Sequence, residues 1–140
     1  MTLALTKSAT IHDLAQHIAA MAATKAGFST HPETLDTPTE GFMVGLRGFE
    51  LRTSFAPSVA LVEAWLRNHF GLATILHEDT NATLYVGGRW DKGFFYLDVL
   101  ACVQSLVGAI VRARENGQLA IHDLKNEKTI ETDAGETIEA

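Results

Sequence analysis

The side chains with types suited to chemistry are His77-Glu78-Asp79, Asp98 and His122-Asp123. Each stands at or near the end of a predicted strand. If those strands are neighbours, His77, Asp98, His122 and Asp123 converge into a metal site or a general acid/base pair. The same residue types also serve sheets without reacting. Asp98 and Asp123 can cap turns or helix starts, and a one-residue slip of register sends any of them to the opposite face. The sequence carries no CxxC, HExxH or GxSxG pattern. Gly87-Gly88 and Gly45/Gly48 lack the spacing of a phosphate-binding loop. Capping is therefore the adopted reading: no catalytic residue, no cofactor and no metal are expected, and the four-residue site is the alternative.

A second constellation suits recognition. Trp90 lies between Arg89 and Asp91 in a charged Gly87–Gly93 connection, and Trp and Arg are the types that anchor interfaces. From Asn126 onward five acids, among them Glu127, Glu131 and Asp133, face a single lysine. Arg89, Trp90, Asp91, Glu127, Glu131 and Asp133 thus form the expected surface for a protein partner. Arg47 and Arg52 on an early strand are the types that bind an anion, but nothing in the sequence frames them.

The elements that must position these residues follow from pattern. Thr10 and Asp13 make a capping box, and Ile11, Leu14, Ile18 and Met21 recur at helical spacing, predicting a helix to about Ala26 stopped by Gly27. Its alanines suit close packing on another element or on a second copy through residues 11–26. Residues 28–41, rich in Thr, Ser and Pro, read as a linker loop. Gly41 to Phe55 predicts either a hairpin turning near Arg47-Gly48 or one long bulged strand. A helix from Pro57-Ser58 buries Val62, Trp65, Leu66 and Phe70 and stops at Gly71, with Glu63 and Arg67 paired on its surface. Leu72–Glu78 and Ala82–Gly88 predict two strands. In Phe94–Leu100 the alternation sets Phe95, Leu97 and Val99 against Phe94, Tyr96 and Asp98. Val103, Leu106, Val107, Ile110 and Val111 predict the stripe of a last helix, which includes Cys102 in its apolar run. Two short strands follow. This is an α+β two-layer sandwich: a mainly antiparallel sheet of five or six strands under two or three helices. The chain divides into helix 1–27, loop 28–41, body 42–131 and acidic tail 132–140.

Composition sets the class. The chain has 140 residues, 46% hydrophobic, with a net charge of -6. That length holds one domain with a real core. A negative chain repels phosphates, so no direct nucleic-acid binding is expected. One cysteine, no apolar run of signal-peptide length and no membrane-spanning stretch predict a cytoplasmic protein that touches no membrane.

Gly88-Arg89-Trp90, Tyr96-Leu97-Asp98-Val99, Ala113-Arg114-Glu115-Asn116-Gly117-Gln118 and Ala120-Ile121-His122-Asp123-Leu124 together resemble small proteins of unknown function from actinobacterial phages and integrated mobile elements. Leu100 departs from the polar residue those proteins tend to carry after Asp-Val. The resemblance implies a mobile-element context and no catalytic motif. The leading expectation is a non-enzymatic protein that binds a macromolecular partner, for instance a counter-defence or accessory inhibitor whose acidic surface covers a basic face. The alternatives are a small metal or acid/base enzyme and a structural subunit of a particle or homo-oligomer.

Overall fold

A computed structural model describes residues 10–79 and 81–132, so Asp133 and the acids beyond it lie outside the described residues. The elements in chain order are α1 Ile11–Ala23, β1 Phe28–Thr30, β2 Phe42–Gly45, β3 Leu51–Thr53, α2 Val59–Trp65, a π-helical turn Leu66–Phe70, α3 Gly71–His77, β4 Ala82–Asp91, β5 Phe94–Val103, α4 Leu106–Glu115, β6 Ala120–Asp123 and β7 Lys128–Glu131. The seven strands form one antiparallel sheet in the order β1-β4-β5-β2-β6-β7, with β3 also on β5. The expected α+β sheet-with-helices architecture is what the chain adopts.

β5 is the strand against which the sheet is assembled. Along one edge it pairs with β4 over ten consecutive partners, from Ala82↔Val103 to Asp91↔Phe94. The connection between them is two residues, Lys92 (φ 52°) and Gly93 (φ 86°). Both are left-handed, the geometry whose twist matches paired strands. The predicted Gly87–Gly93 loop is therefore strand up to Asp91. Along its other edge β5 takes β2 (Gly45↔Leu100) and then β3 (Leu51↔Leu97). Five residues between β2 and β3 face only two on β5, so the bulged-strand alternative is the correct one and the hairpin is not. Gly48, at φ 95°, makes the bulge's sharpest bend.

Alternation along β5 divides the sheet into two faces. Phe95, Leu97, Val99 and Ala101 are fully buried under the helices, and Phe94, Tyr96, Asp98 and Leu100 are half-buried on the other face. Leu14 and Ile18 of α1, Val62 and Trp65 of α2, and Phe70 close the core with Leu84 and Val86 of β4. Each such side chain contributes roughly 1.5–3 kcal/mol on burial. The Thr10 capping box forms as predicted, with Asp13 N–H donating to Thr10 Oγ1 at 3.0 Å. The helix ends at Ala23 rather than Ala26, because Lys25 takes a left-handed conformation (φ 68°) ahead of Gly27.

Three predicted elements differ. Residues 28–41 are not a separating linker, since β1 pairs with β4 (Phe28↔Gly88). Gly71 does not stop the second helix: its N–H bonds to Leu66 O through the π-turn, and the helix runs on to His77. The predicted strand Leu72–Glu78 is thus helical, with Ala73 buried and Thr74 Oγ1 bonded back to Phe70 O at 2.9 Å. Glu63 meets His12 Nδ1 at 3.1 Å across the α1–α2 contact instead of pairing with Arg67. In α4 the alanines face inward, Ala109 and Ala113 being fully buried, and the predicted stripe points largely outward: Val107 is 72% and Val111 51% exposed. Small side chains let the helix axis approach the sheet closely, which outweighs burying the larger valines. Cys102 is buried as expected, but in β5, with its Sγ donating to Glu40 O at 3.3 Å.

Candidate functional site on the open face of the sheet

All three helical segments lie on one face of the sheet. On the opposite face the described cover comes from His31 and Glu40, in the segment between β1 and β2. Within this segment His31 N–H donates to Asp36 O at 2.8 Å, and the His31 Nδ1 accepts from the backbone of Glu33 at 3.1 Å. The His31 ring sits edge-on to Tyr85 (5.3 Å), and the Glu40 carbonyl takes the Cys102 thiol. Burial there raises the pKa of both Tyr85 and Cys102. Toward the hairpin tip the face is open.

Across that open half, strand register places Arg52 and Arg89 in one row on either side of Tyr96. The Arg89 guanidinium stands over the Tyr96 ring at 4.5 Å and that of Arg52 over Phe94 at 4.2 Å. Flat cations on ring faces hold these side chains down without consuming all of their N–H donors. One row further along, Asp98 lies opposite Gly87. Its side chain is 19% exposed, with Arg89 Nε at 3.7 Å from Oδ2. Among the described residues neither Asp98 oxygen accepts a hydrogen bond. Desolvation raises its pKa, Arg89 pulls it back, and the negative charge of Glu50 pushes it further up.

The bulge between β2 and β3 turns this spot into a cleft of about 330 Å³ lined by Gly45, Leu46, Glu50, Arg89, Asp98, Leu100 and Gln118. Trp65 fixes the bulge from beneath, donating from its indole N–H to Phe49 O at 2.7 Å. A Cβ at Gly45 would crowd the Gln118 amide at 3.3 Å, so glycine keeps that wall open. Gln118 is set by its own N–H to Ala113 O at 2.8 Å and by Thr132 Oγ1 on its carbonyl at 2.6 Å.

The remaining residues singled out from sequence are dispersed. His77 ends α3 on the helical face, its ring edge-on to Phe49 (5.6 Å) and its carbonyl bonded by Arg112 Nη1 at 3.0 Å. Asp123 faces the helical layer and shapes the β6–β7 turn, its Oδ2 accepting from Asn126 Nδ2 at 2.8 Å, a bond that lowers its pKa. His122 is exposed on the open face beside Met43 of β2. The four-residue convergence of His77, Asp98, His122 and Asp123 does not form, and no group of three or more His, Cys, Asp or Glu among the described residues is arranged to hold a metal. Asp79 is paired with Arg112 at 3.0 Å.

The expected recognition patch is also divided. Arg89 and Asp91 lie on the open face, 3.9 Å apart. Trp90, one residue from each, points to the helical face. Its indole N–H donates to Ala22 O at 2.9 Å, its ring tilts against Phe95, and Lys25 Nζ stands 3.6 Å over it. It fastens β4 to α1 and is not displayed as an anchor. Glu127 and Glu131 are exposed at the far edge of the sheet, on the β6–β7 turn and β7. Sequence reasoning missed Glu50 and Gln118; only the bulge and the turn after α4 bring them to Asp98. No helix among the described residues is long and apolar enough to cross a membrane. No protein-family model, no curated protein and no solved structure matches the chain.

Proposed function

We propose that the protein acts by binding a macromolecular partner through the open half of its sheet, without catalysis. The observation that carries this reading is Asp98: a largely buried carboxylate, raised in pKa, that no group among the described residues hydrogen-bonds. A carboxylate so placed is open to a hydrogen-bond donor supplied from outside the chain. Net charge of -6 favours a basic partner and speeds the encounter. In the mobile-element setting suggested by the C-terminal third, that partner is the basic face of a host enzyme, and the protein an accessory inhibitor. The test is affinity capture with the tagged chain at low and high salt. A partner held by the wild type at low salt, released by salt, and lost with Asp98→Asn/Glu50→Gln supports the proposal. No partner at low salt, or equal capture by the double variant, overturns it.

A second reading, self-association, is favoured by Leu72, Ile75 and Leu76 of α3 and Val107 and Val111 of α4, all about half or more exposed. These side chains carry no charge, so two copies of an acidic chain meet there without the repulsion they face elsewhere. The expected helix face 11–26 is less suited, because Ala15 and Ala22 are fully buried within the chain itself. Sedimentation velocity on wild type and Val107→Asp decides: a dimer lost in the variant supports this reading, and a monomeric wild type removes it.

A further inference from the structure

We infer that the cleft at Asp98 is a socket for a guanidinium side chain carried by the partner. The inference rests on the open-face binding reading and specifies its central contact.

Charge sets the sign of the occupant. Asp98 and Glu50 bring two negative charges to the cleft and Arg89 brings one positive charge. Arg89 is not free to neutralise both. Its guanidinium is held on Tyr96 and shared between Asp91 at 3.9 Å and Asp98 at 3.7 Å, both beyond hydrogen-bond range. One further monocation brings the cleft to neutrality and gives Asp98 hydrogen-bond donors that no described residue supplies.

Shape and hydration choose among cations. A guanidinium is planar, weakly hydrated, and able to bond a carboxylate with two parallel N–H groups. Entering over Asp98 it keeps N–H groups for Glu50 and the Gln118 amide, while Leu46 and Leu100 meet its methylene stem. An ammonium would surrender a tighter hydration shell and could not fork. A divalent metal is disfavoured by the arginine already present and by the lack of a three-ligand group among the described residues. The volume, about 330 Å³, stands at the small end of ligand sites, which suits one side chain and not a nucleotide-sized cofactor.

The experiment is an NMR titration of the full ¹⁵N-labelled chain with N-acetyl-arginine amide, checked against N-acetyl-lysine amide and the neutral isostere N-acetyl-citrulline amide. Expected are saturable shifts of the Gly45, Glu50, Asp98 and Gln118 amides in the millimolar range. Affinity should fall about tenfold or more in Asp98→Asn and severalfold in Glu50→Gln, whose side chain is exposed and whose loss leaves the fold intact. The lysine compound should bind more weakly and the citrulline compound not at all. Absence of saturable shifts, equal binding of lysine or citrulline amide, or unchanged affinity in both variants overturns the socket. Should the arginine compound fail while the same variants still lose the captured partner, the socket alone is wrong. Should it bind while no partner is ever captured, the partner reading alone is wrong.

Discussion

Arg89 Nε lies 3.7 Å from Asp98 Oδ2, near enough to attract and too far to hydrogen-bond. The distance follows from the sheet. Arg89 is pinned on Tyr96, its cross-strand partner, while Asp98 is one row further along β5. A guanidinium committed to a ring cannot also close on a carboxylate a row away.

That arrangement predicts a pH signature. Desolvation raises the Asp98 pKa above its unfolded value, so in that interval the folded chain holds a proton the unfolded chain has lost. Stability then falls as pH rises from about 4 through the raised value, and the cost persists at neutral pH. Asp98→Asn should melt above wild type at pH 7, with the gap closing as pH drops below about 4. Thermal denaturation of both proteins across pH 3–8 checks this. A variant less stable than wild type at pH 7 would mean that the carboxylate is satisfied.

Trp65 is buried, and its indole N–H is bonded to Phe49 O at 2.7 Å. Replacing it with Phe leaves that carbonyl without its donor, at a cost of about 1–3 kcal/mol. Because Phe49 is next to Glu50, the amide signals of Gly45 and Glu50 should move with it. Urea unfolding and an NMR spectrum measure the two effects, and a neutral, spectrally silent Trp65→Phe would mean the bulge is held by other contacts.

Gly88 is where β1 meets β4, and a Cβ there would enter the Phe28 ring. Gly88→Ala should destabilise by about 1–3 kcal/mol through overpacking. Combined with Phe28→Leu, the loss should be smaller than the sum of the two single losses. Strict additivity in a urea double-mutant cycle would indicate that residues 28–30 do not pair with β4.

The reversed stripe of α4 has an equally direct consequence. Val107→Ser, on a side chain 72% exposed, should change monomer stability by no more than about 0.5 kcal/mol, and Ala113→Val, at a fully buried position, should cost about 1–3 kcal/mol. Denaturation at low protein concentration compares them. The opposite order would restore the stripe predicted from the sequence.

Local chemistry was the legible part. The capping box at Thr10, the alternation of Phe94–Val99 and the antiparallel α+β class all depend on near neighbours, and all are present as read. What misled were positions where distant packing overrides a local sign. Gly71 is a helix stop by type, yet a π-turn carries the backbone through it in helical conformation (φ -59°). Gly87–Gly93 reads as a connection, yet β4 runs through it to Asp91, the missing side chains of Gly87 and Gly88 replaced by Leu100 and Phe28. Trp90 sits among charges in sequence and under α1 in space. Asp98 was visible as a candidate. Glu50, nearly fifty residues upstream, and Gln118, after α4, were not, because only pairing of β2 and β3 along β5 and the turn after α4 make them neighbours.

The order in which the strands leave the ribosome bears on how this sheet can form. β1 finds its partner sixty residues later in β4, and both β2 and β3 wait for β5. A nascent chain stalled before Phe94 therefore has its first helices and the β1–β4 pair to organise, with β2 and β3 as two lone strand segments beside them. Synthesis of β5 is the moment at which the molecule becomes able to fold, and a chaperone or protease acting on it meets its longest opportunity just before.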